Sequence, residues 1–461
     1  DAAAVPPSAP AAPRAAAHLY PDADREAALL HRAATSSPLA VDRLRHLCDV
    51  IGPRLSGSAG LERAVAWAER TLREDGLEVR LQPVMVPRWV RGEESLELVA
   101  PRRARLPLLG LGNSVGTPPD GITAEVVVCR DFDELAAQAD RVPGRIVLFD
   151  AAMPPYDPDR GAGYGPTVVY RTAGASRAAA LGAVGCLVRS VTATSLATPH
   201  TGMLRYESGK PQIPAAAVTT EDADMLRRLT EAGETVAVTL RMDARFEEDA
   251  PSANVIADIP GRELPDEVVL ISAHLDSWDV GQGAHDDGGS CVAVMTAMTL
   301  LREAFGPSRR TIRAVLFTNE ENGLRGSRDY INGHSGEIAG YQVAIEADSG
   351  TYRPLGFTAP AANDEASTRV RRRIERLAAH LAPFGAGRLR DGGGGADIGP
   401  MAAFGVPLLG LDVEGDRYFD IHHTHADTFD KVDPEDLRAC TWALAAAARL
   451  LAEMPERLIA E

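Results

Sequence analysis

Histidine and acidic residues gather where a strand-like segment meets a glycine-rich turn. The apolar, β-branched run 268–272 predicts a buried strand, and His274 and Asp276 follow at its end. Residues two apart in an extended chain point the same way, so this imidazole and carboxylate would share one face. The spacing is typical of a metal-binding histidine whose second ring N–H donates to an aspartate. Asp286 lies in the following turn. Taken alone, the pattern also fits a solvated acidic loop.

Further groups of possible metal ligands lie C-terminal to other apolar runs. They are Glu320 and Glu321 after residues 311–317, Asp348 after residues 341–345, and His422 and His423 near the C-terminus. Chance would rarely place such groups at the ends of several strands. We therefore expect these side chains to converge.

The residue types predict which ions such a site would bind. Mixed imidazole and carboxylate ligands without thiolates suit zinc, manganese or cobalt. Two ions about 3.5–4 Å apart need a shared carboxylate, and each then takes an imidazole and a further carboxylate. The available set is His274, Asp286, Glu321, Asp348 and His423. Glu320 is then spare, and a free carboxylate beside an activated water is what a general base requires.

Several motifs together resemble one family, the co-catalytic di-zinc exopeptidases of the aminopeptidase and carboxypeptidase type. They are AHLDS, the Asp-Asp-Gly turn, TNEENGLRGS, EADSG and HHTHADT, within a likeness that covers about residues 40–455. The resemblance implies two zinc ions, one held by His274, Asp286 and Asp348 and the other by Asp286, Glu321 and His423. It also implies Glu320 as the base, Asp276 as the residue that orients the zinc histidine, and a cis peptide between Asp286 and Asp287.

The resemblance leaves one catalytic role open. Family members often carry a tyrosine just before the final zinc histidine, where it donates a hydrogen bond to the oxyanion. His422 occupies this place. We hypothesise that His422 polarises the scissile carbonyl. The alternative is that His422 only packs against or orients a neighbour.

The order of predicted elements suggests a domain interrupted by an insertion. Short strands and helices between residues 116 and 247 contain no ligand cluster, whereas residues 21–115 and 248–461 would form the catalytic domain. We expect an α/β fold with a mixed central sheet flanked by helices, the phosphorylase/hydrolase-like fold of zinc exopeptidases. The segments GRIVLFD, GAVGCLVRS and IPAAAVT make the inserted α+β block similar to a protease-associated domain. Residues 77–86 and 93–99 alternate and predict an edge hairpin, and the polar segment 247–252 predicts a linker.

Composition excludes several kinds of partner. The chain has 461 residues, and 65 acidic against 48 basic residues give a net charge of −17. Such a surface argues against nucleic acid or anionic lipid as a partner. No apolar run approaches the ~20 residues that cross a bilayer, so we expect no membrane partner.

The beginning of the sequence suggests export. Residues 1–17 are rich in Ala and Pro and start with Asp. We expect residues 1–20 to be a flexible segment left after removal of a signal peptide, and the protein to be periplasmic or secreted. The alternative is a truncated chain.

The five cysteines are scattered, and Cys129, Cys186 and Cys291 lie in apolar segments where buried, unreactive thiols are expected.

The function expected from these observations is metal-dependent exopeptidase activity. A hydroxide shared by the metals would attack a peptide carbonyl, and Glu320 would pass the proton to the leaving amine. Small peptides, dipeptides above all, and a homodimer are implied by the resemblance. One alternative is a single-zinc glutaminyl cyclase of the same fold, and another is a binding or receptor relative that has lost catalysis. Such receptors typically lose ligands, and this chain retains all five and the base.

Overall fold

The computed structural model describes residues 19–158 and 160–460, whose strands form two sheets. In chain order the strands are Glu78–Val90 (β1), Glu94–Ala100 (β2), Ala104–Leu106 (β3), Leu108–Gly110 (β4), Ile122–Cys129 (β5), Ile146–Phe149 (β6), Gly185–Arg189 (β7), Ala215–Val218 (β8), Ala237–Met242 (β9), Arg245–Ile259 (β10), Leu264–His274 (β11), Arg310–Phe317 (β12), Val343–Glu346 (β13), Pro354–Ala359 (β14), Arg388–Asp391 (β15) and Leu408–Val413 (β16).

The first sheet has the order β1-β10-β12-β11-β13-β16-β14-β15. Strands β12, β11, β13 and β16 run parallel at its centre, while β1, β10 and β14 each join an antiparallel pair. The register aligns His274 with Phe317 and Ser272 with Glu346, so the carboxyl ends of the central strands lie level. In open α/β sheets this edge is where ligands bind.

Helices cover the first sheet and surround the second. They are Ala23–Ser36 (α1), Leu39–Arg45 (α2), Ala59–Glu74 (α3), Phe132–Ala137 (α4), Tyr164–Ala179 (α5), Thr220–Glu231 (α6), Gly289–Phe305 (α7), Arg325–Gly333 (α8), Glu365–Leu381 (α9), Tyr418–Ile421 (α10) and Pro434–Glu453 (α11). Helices α7 and α11 are buried on nearly all sides, because they are apolar all round and lie between the sheet and the outer helices. A mixed sheet flanked by helices is thus confirmed.

The second sheet has the order β3-β2-β9-β5-β6-β7-β8-β4 and separate clusters of buried residues on its two faces. The long strands β1 and β10 precede and follow it in the chain and pair with each other from Glu78↔Asp258 to Val90↔Arg245. Three strands before residue 116 belong to this sheet. Residues 94–110, which the sequence analysis assigned to the catalytic domain, therefore pair within the second sheet, and the bounds of the insertion stay a prediction.

Two of the expectations about strands are wrong. The predicted edge hairpin does not form, because β1 pairs with β10 in the first sheet and β2 pairs with β3 and β9 in the second. The predicted linker 247–252 is the first half of β10, whose backbone hydrogen bonds with β1 outweigh its polar composition. Helix α6 was not anticipated, although the Thr219 side chain caps it by accepting the N–H of Asp222 at 3.0 Å.

The prediction of an exported protein depends on residues 1–18, which lie outside the described residues, and it stays a prediction. Leu19, at the end of the segment expected to be flexible, is buried. Within the described part of the chain, no helix combines the length and apolarity that crossing a membrane requires.

Candidate metal centre

The possible metal ligands converge at the carboxyl edge of the first sheet. His274 is the last residue of β11, Glu321 follows β12, and Asp348 follows β13. Asp286 lies in the turn before α7, and His423 follows α10. The central parallel strands thus deliver side chains from distant parts of the sequence to one place.

Asp286 lies between the two imidazoles. Its Oδ1 is 3.2 Å from His274 Nε2, and its Oδ2 is 3.1 Å from His423 Nε2. Asp348 Oδ1 is 3.4 Å from His274 Nε2, whereas Glu321 Oε2 is 3.1 Å from His423 Nε2. Each imidazole therefore faces Asp286 and one further carboxylate, which is the pairing that two cations with a shared carboxylate require.

The donor set fits a pair of divalent cations. Glu321 Oε1 and Asp287 Oδ1 are buried and accept no hydrogen bond from the described chain. A buried carboxylate oxygen without a partner is costly, and a bound cation would remove that cost. The ligand atoms of His274, Asp286 and Glu321 lie within 4.8 Å of one another, so the ligands proposed for the two ions are adjacent around the shared Asp286.

The electrostatics of the site also call for positive charge. Burial and the nearby Asp286 raise the pKa of Glu321 to about 7. Burial and Asp348 raise the pKa of Glu346 to about 8. Burial, together with Asp348 and other carboxylates, raises the pKa of Glu320 well above its ordinary value. These groups are expensive to ionise together, and divalent cations would offset their repulsion.

Asp276 acts through a different oxygen from the one expected. His274 Nδ1 contacts the backbone carbonyl of Asp276 at 3.0 Å, whereas the carboxylate Oδ1 is 3.9 Å away. The Asp276 carboxylate instead accepts the backbone N–H groups of Glu320 and Glu321, at 3.0 and 3.2 Å. Asp276 therefore orients the imidazole with its backbone and holds the Glu320–Glu321 segment with its side chain.

Two buried side chains fix the turn that carries Asp286. The Asp427 carboxylate accepts the N–H groups of His285 at 2.8 Å and Asp286 at 3.1 Å, and the Asp286–Asp287 peptide is cis. Arg54 is fully buried and donates to the carbonyls of Leu275, Gln282 and Gly283. Sequence analysis gave neither residue a role. A lone arginine in a loop gives no signal without its tertiary partners.

Residues 94–242, which contain the second sheet and helices α4, α5 and α6 and are called here the second sheet unit, also reach the metal centre, although their sequence shows no ligand cluster. Thr201 donates its N–H to the carbonyl of His423 at 3.0 Å, and the carbonyl of Thr201 lies 3.3 Å from His423 Nδ1. Arg171 on α5 donates to the same Thr201 carbonyl at 3.3 Å. A carbonyl partner on Nδ1 leaves Nε2 free for a metal. The contact uses backbone atoms, so no residue type in the sequence could have revealed it.

His422 lies beside this cluster. Its ring stacks on His423 with centroids 3.5 Å apart, and its Nε2 is 3.5 Å from Asp286 Oδ2. Burial and the neighbouring His423 lower the pKa of His422 well below its ordinary value. The aromatic rings of Tyr164, Tyr418 and Phe419 surround its remaining faces. The hypothesis that His422 polarises the substrate carbonyl stays a prediction.

A cavity of about 550 Å³ opens onto these groups. Glu320, Asp348 and His423 line it from the first sheet, and Tyr164 and Arg171 line it from the second sheet unit. The space suits a small ligand between the two layers, held against the proposed metal ligands.

Comparison with known proteins identifies the family. The model of Peptidase family M28 matches residues 254–448. Carboxypeptidase Q from Homo sapiens is 41% identical over 418 residues, which cover 90% of this chain and 86% of that protein. Carboxypeptidase Q from Xenopus laevis is 40% identical over 420 residues, with the same two coverages.

Solved structures agree. A peptidase M28 precursor from Shewanella amazonensis SB2B superposes with a TM-score of 0.89 and 34% identity, covering 94% of this chain and 98% of its own. An aminopeptidase from Aneurinibacillus sp. strain AM-1 shares the fold, with a TM-score of 0.66 at 21% identity over 94% of this chain and 98% of its own. The resemblance to metallo-exopeptidases that the five motifs indicated is confirmed, and the chain belongs to peptidase family M28.

Proposed function

We propose that this M28 peptidase hydrolyses small peptides, dipeptides above all, with two divalent cations and Glu320 as the general base. The observation that carries the proposal is the position of Asp286, whose two oxygens each face a different imidazole at 3.2 and 3.1 Å. Zinc is the proposed metal, because imidazole and carboxylate ligands suit it and the resemblance to di-zinc exopeptidases favours it over manganese and cobalt. Zinc, when bound, would polarise the peptide carbonyl and lower the pKa of water.

The protein's own residues would then perform the remaining steps. His274, Asp286 and Asp348 would hold one cation, and Asp286, Glu321 and His423 the other. Glu320 lines the cavity beside the metal centre. Within the described residues it forms no ion pair with His274 or His423, so its carboxylate is available for proton transfer. It would take the proton of the attacking water and give it to the leaving amine. The backbone contact to Asp276 holds it in place.

Glu320→Ala tests this assignment. Activity on a dipeptide should fall ~10²–10⁴-fold while the protein keeps two metal ions per chain, because the base is removed and the ligands stay. Glu375→Ala, at an exposed position of α9, is the matched control and should behave as wild type. Elemental analysis of both variants measures the metals. Wild-type hydrolysis by Glu320→Ala would contradict the assignment of the base. One metal ion per chain and no peptide hydrolysis in the wild-type protein would contradict the proposed function, and that result is what a single-zinc cyclase would show.

A panel of dipeptides blocked at the amino end, at the carboxyl end or at neither tests the substrate class. We expect hydrolysis of the free dipeptides and its loss in the presence of a chelator. A homodimer is part of the same proposal, and light scattering of the purified protein measures it.

A further inference from the structure

Tyr164, from the second sheet unit, lines the cavity beside the metal centre. Tyr164 is the first residue of α5 and is half-buried. Its ring stacks on Phe419 with centroids 4.6 Å apart and meets His422 edge-on at 5.4 Å. These contacts fix the phenol on the side of the metal centre where His422 lies.

The hydroxyl of Tyr164 has an unused donor. Arg171 Nη2 donates to the Tyr164 oxygen at 2.6 Å, so that oxygen acts as an acceptor toward the guanidinium. A phenol carries one O–H donor as well. None of the hydrogen bonds within residues 19–158 and 160–460 uses the hydrogen of Tyr164, and the residue lines the cavity that Glu320 and Asp286 share. A charged donor on its oxygen makes the phenol a stronger donor through its own hydrogen.

Arg171 is built to keep this arrangement rigid. Arg171 is 6% exposed, and its Nη1 donates to the carbonyl of Thr201 at 3.3 Å. Gly202 packs against the guanidinium so closely that a Cβ there would come within 2.3 Å of it. The backbone around Arg171 therefore leaves the side chain little freedom. Burial raises the pKa of Tyr164 even though Arg171 opposes the shift, so the phenol keeps its proton at neutral pH.

We propose that Tyr164 donates its phenol hydrogen to the scissile carbonyl oxygen as that oxygen becomes negative, with Arg171 as the positioning residue. The inference depends on the proposed function and gives it an oxyanion donor in place of the tyrosine that family members often carry just before the final zinc histidine, where this chain has His422. The second sheet unit then supplies a group that contacts the substrate. His422 packs against the edge of the donor ring instead of donating itself.

Tyr164→Phe removes the hydroxyl and leaves the ring. We expect kcat to fall about 10²-fold with KM changed by less than about threefold, because an oxyanion donor acts mainly in the transition state. Two metal ions per chain should remain. A phosphinic dipeptide, whose tetrahedral oxygens imitate the transition state, should bind about 10²-fold more weakly by calorimetry. Tyr170→Phe, on the same helix but packed against Phe132 and Phe149, is the matched control and should change none of these values.

Arg171→Lys tests the positioning role. It should lower kcat, and in a double-mutant cycle with Tyr164→Phe the two losses should not add, since both act on one hydroxyl. Arg177→Lys, on the same helix and paired with Glu207 at the surface, is the control. Additive losses would overturn the role of Arg171.

Two results would overturn the role of Tyr164. One is a Tyr164→Phe enzyme with wild-type kcat and wild-type affinity for the phosphinic dipeptide. The other is a rise in KM alone that disappears for peptides blocked at the carboxyl end, since this would place the hydroxyl on the substrate carboxylate. If Glu320→Ala and chelation abolish hydrolysis while Tyr164→Phe keeps the wild-type kcat, only the Tyr164 assignment fails. If hydrolysis survives chelation, the proposed function fails.

Discussion

Asp276→Asn is expected to lower both turnover and the stability of the metal-free protein, because the Asp276 carboxylate holds the segment that carries the proposed base. This carboxylate is fully buried and accepts three donors: the N–H of Glu320 at 3.0 Å, the N–H of Glu321 at 3.2 Å and the hydroxyl of Ser56 at 3.3 Å. Asparagine offers one oxygen and one NH₂ group. At least one backbone N–H would therefore face another donor.

The size of the effect follows from those contacts. A hydrogen bond to a charged group contributes about 1.5–3 kcal/mol to stability, so losing one should lower the free energy of unfolding by about that amount. The same loss would let Glu320 move. A displacement of about 1 Å at a catalytic group can cost about 10²-fold in rate. We therefore expect kcat at saturating zinc to fall about 10–10²-fold.

The assay separates this interpretation from the earlier expectation that the carboxylate orients His274. Under that expectation, Asp276→Asn would weaken metal retention while kcat at saturating zinc stayed at the wild-type value. Asp258→Asn is the control, because Asp258 is a buried aspartate of the same sheet paired with Arg313, away from the site. It should lose stability without losing kcat. A wild-type kcat for Asp276→Asn at saturating zinc would refute the role assigned to its side chain.

Three further predictions concern metal, backbone and thiols. Removing metal with a chelator should lower the midpoint of thermal unfolding, and adding zinc should restore it. A ligand at a hundred times its Kd raises the free energy of unfolding by about 2.7 kcal/mol, so an unchanged midpoint would contradict a metal centre. Gly202→Ala should destabilise the protein by about 1–3 kcal/mol and weaken metal retention, since Gly202 has φ +136° and its Cβ would clash with Arg171. Gly209→Ala, at φ +75° with nothing within 4 Å, is its control, and equal retention of metal by both would refute the link. All five cysteines are free and buried, and burial raises the pKa of Cys48 and Cys129 to about 12, so both stay protonated at pH 8. A thiol reagent at pH 8 should find almost no reactive groups in the native protein and five after denaturation; rapid native labelling would contradict this packing.

The ligand-bearing core could be predicted because its signals are local. Each central strand contains a short apolar run, as expected of strands buried on both faces, and the ligands lie after those runs. The start of helix α11 is equally local, because Asp433 caps it and Pro434 takes its first position. The convergence of the ligands follows from parallel strands that share one edge.

The errors lie where the partner of a segment is distant in the chain. Alternation in residues 77–86 correctly indicated a strand, but alternation carries no information on which strand it will pair with. The partner proved to be β10, more than 150 residues away, instead of the neighbouring β2. The polar segment 247–252 looked like a linker for the same reason, since its pairing with β1 is invisible in its composition.

The role of the second sheet unit follows from the conformation of His423. This residue has φ +60°, in the left-handed region that costs a residue other than glycine about 1–2 kcal/mol. Its strained backbone persists because Thr201 binds it on two sides: the N–H of Thr201 donates to its carbonyl, and the carbonyl of Thr201 meets its ring. Arg171 then ties that carbonyl to Tyr164. One chain of contacts therefore joins a proposed metal ligand to the cavity wall, and a change in the second sheet unit should reach the metal centre without altering any ligand.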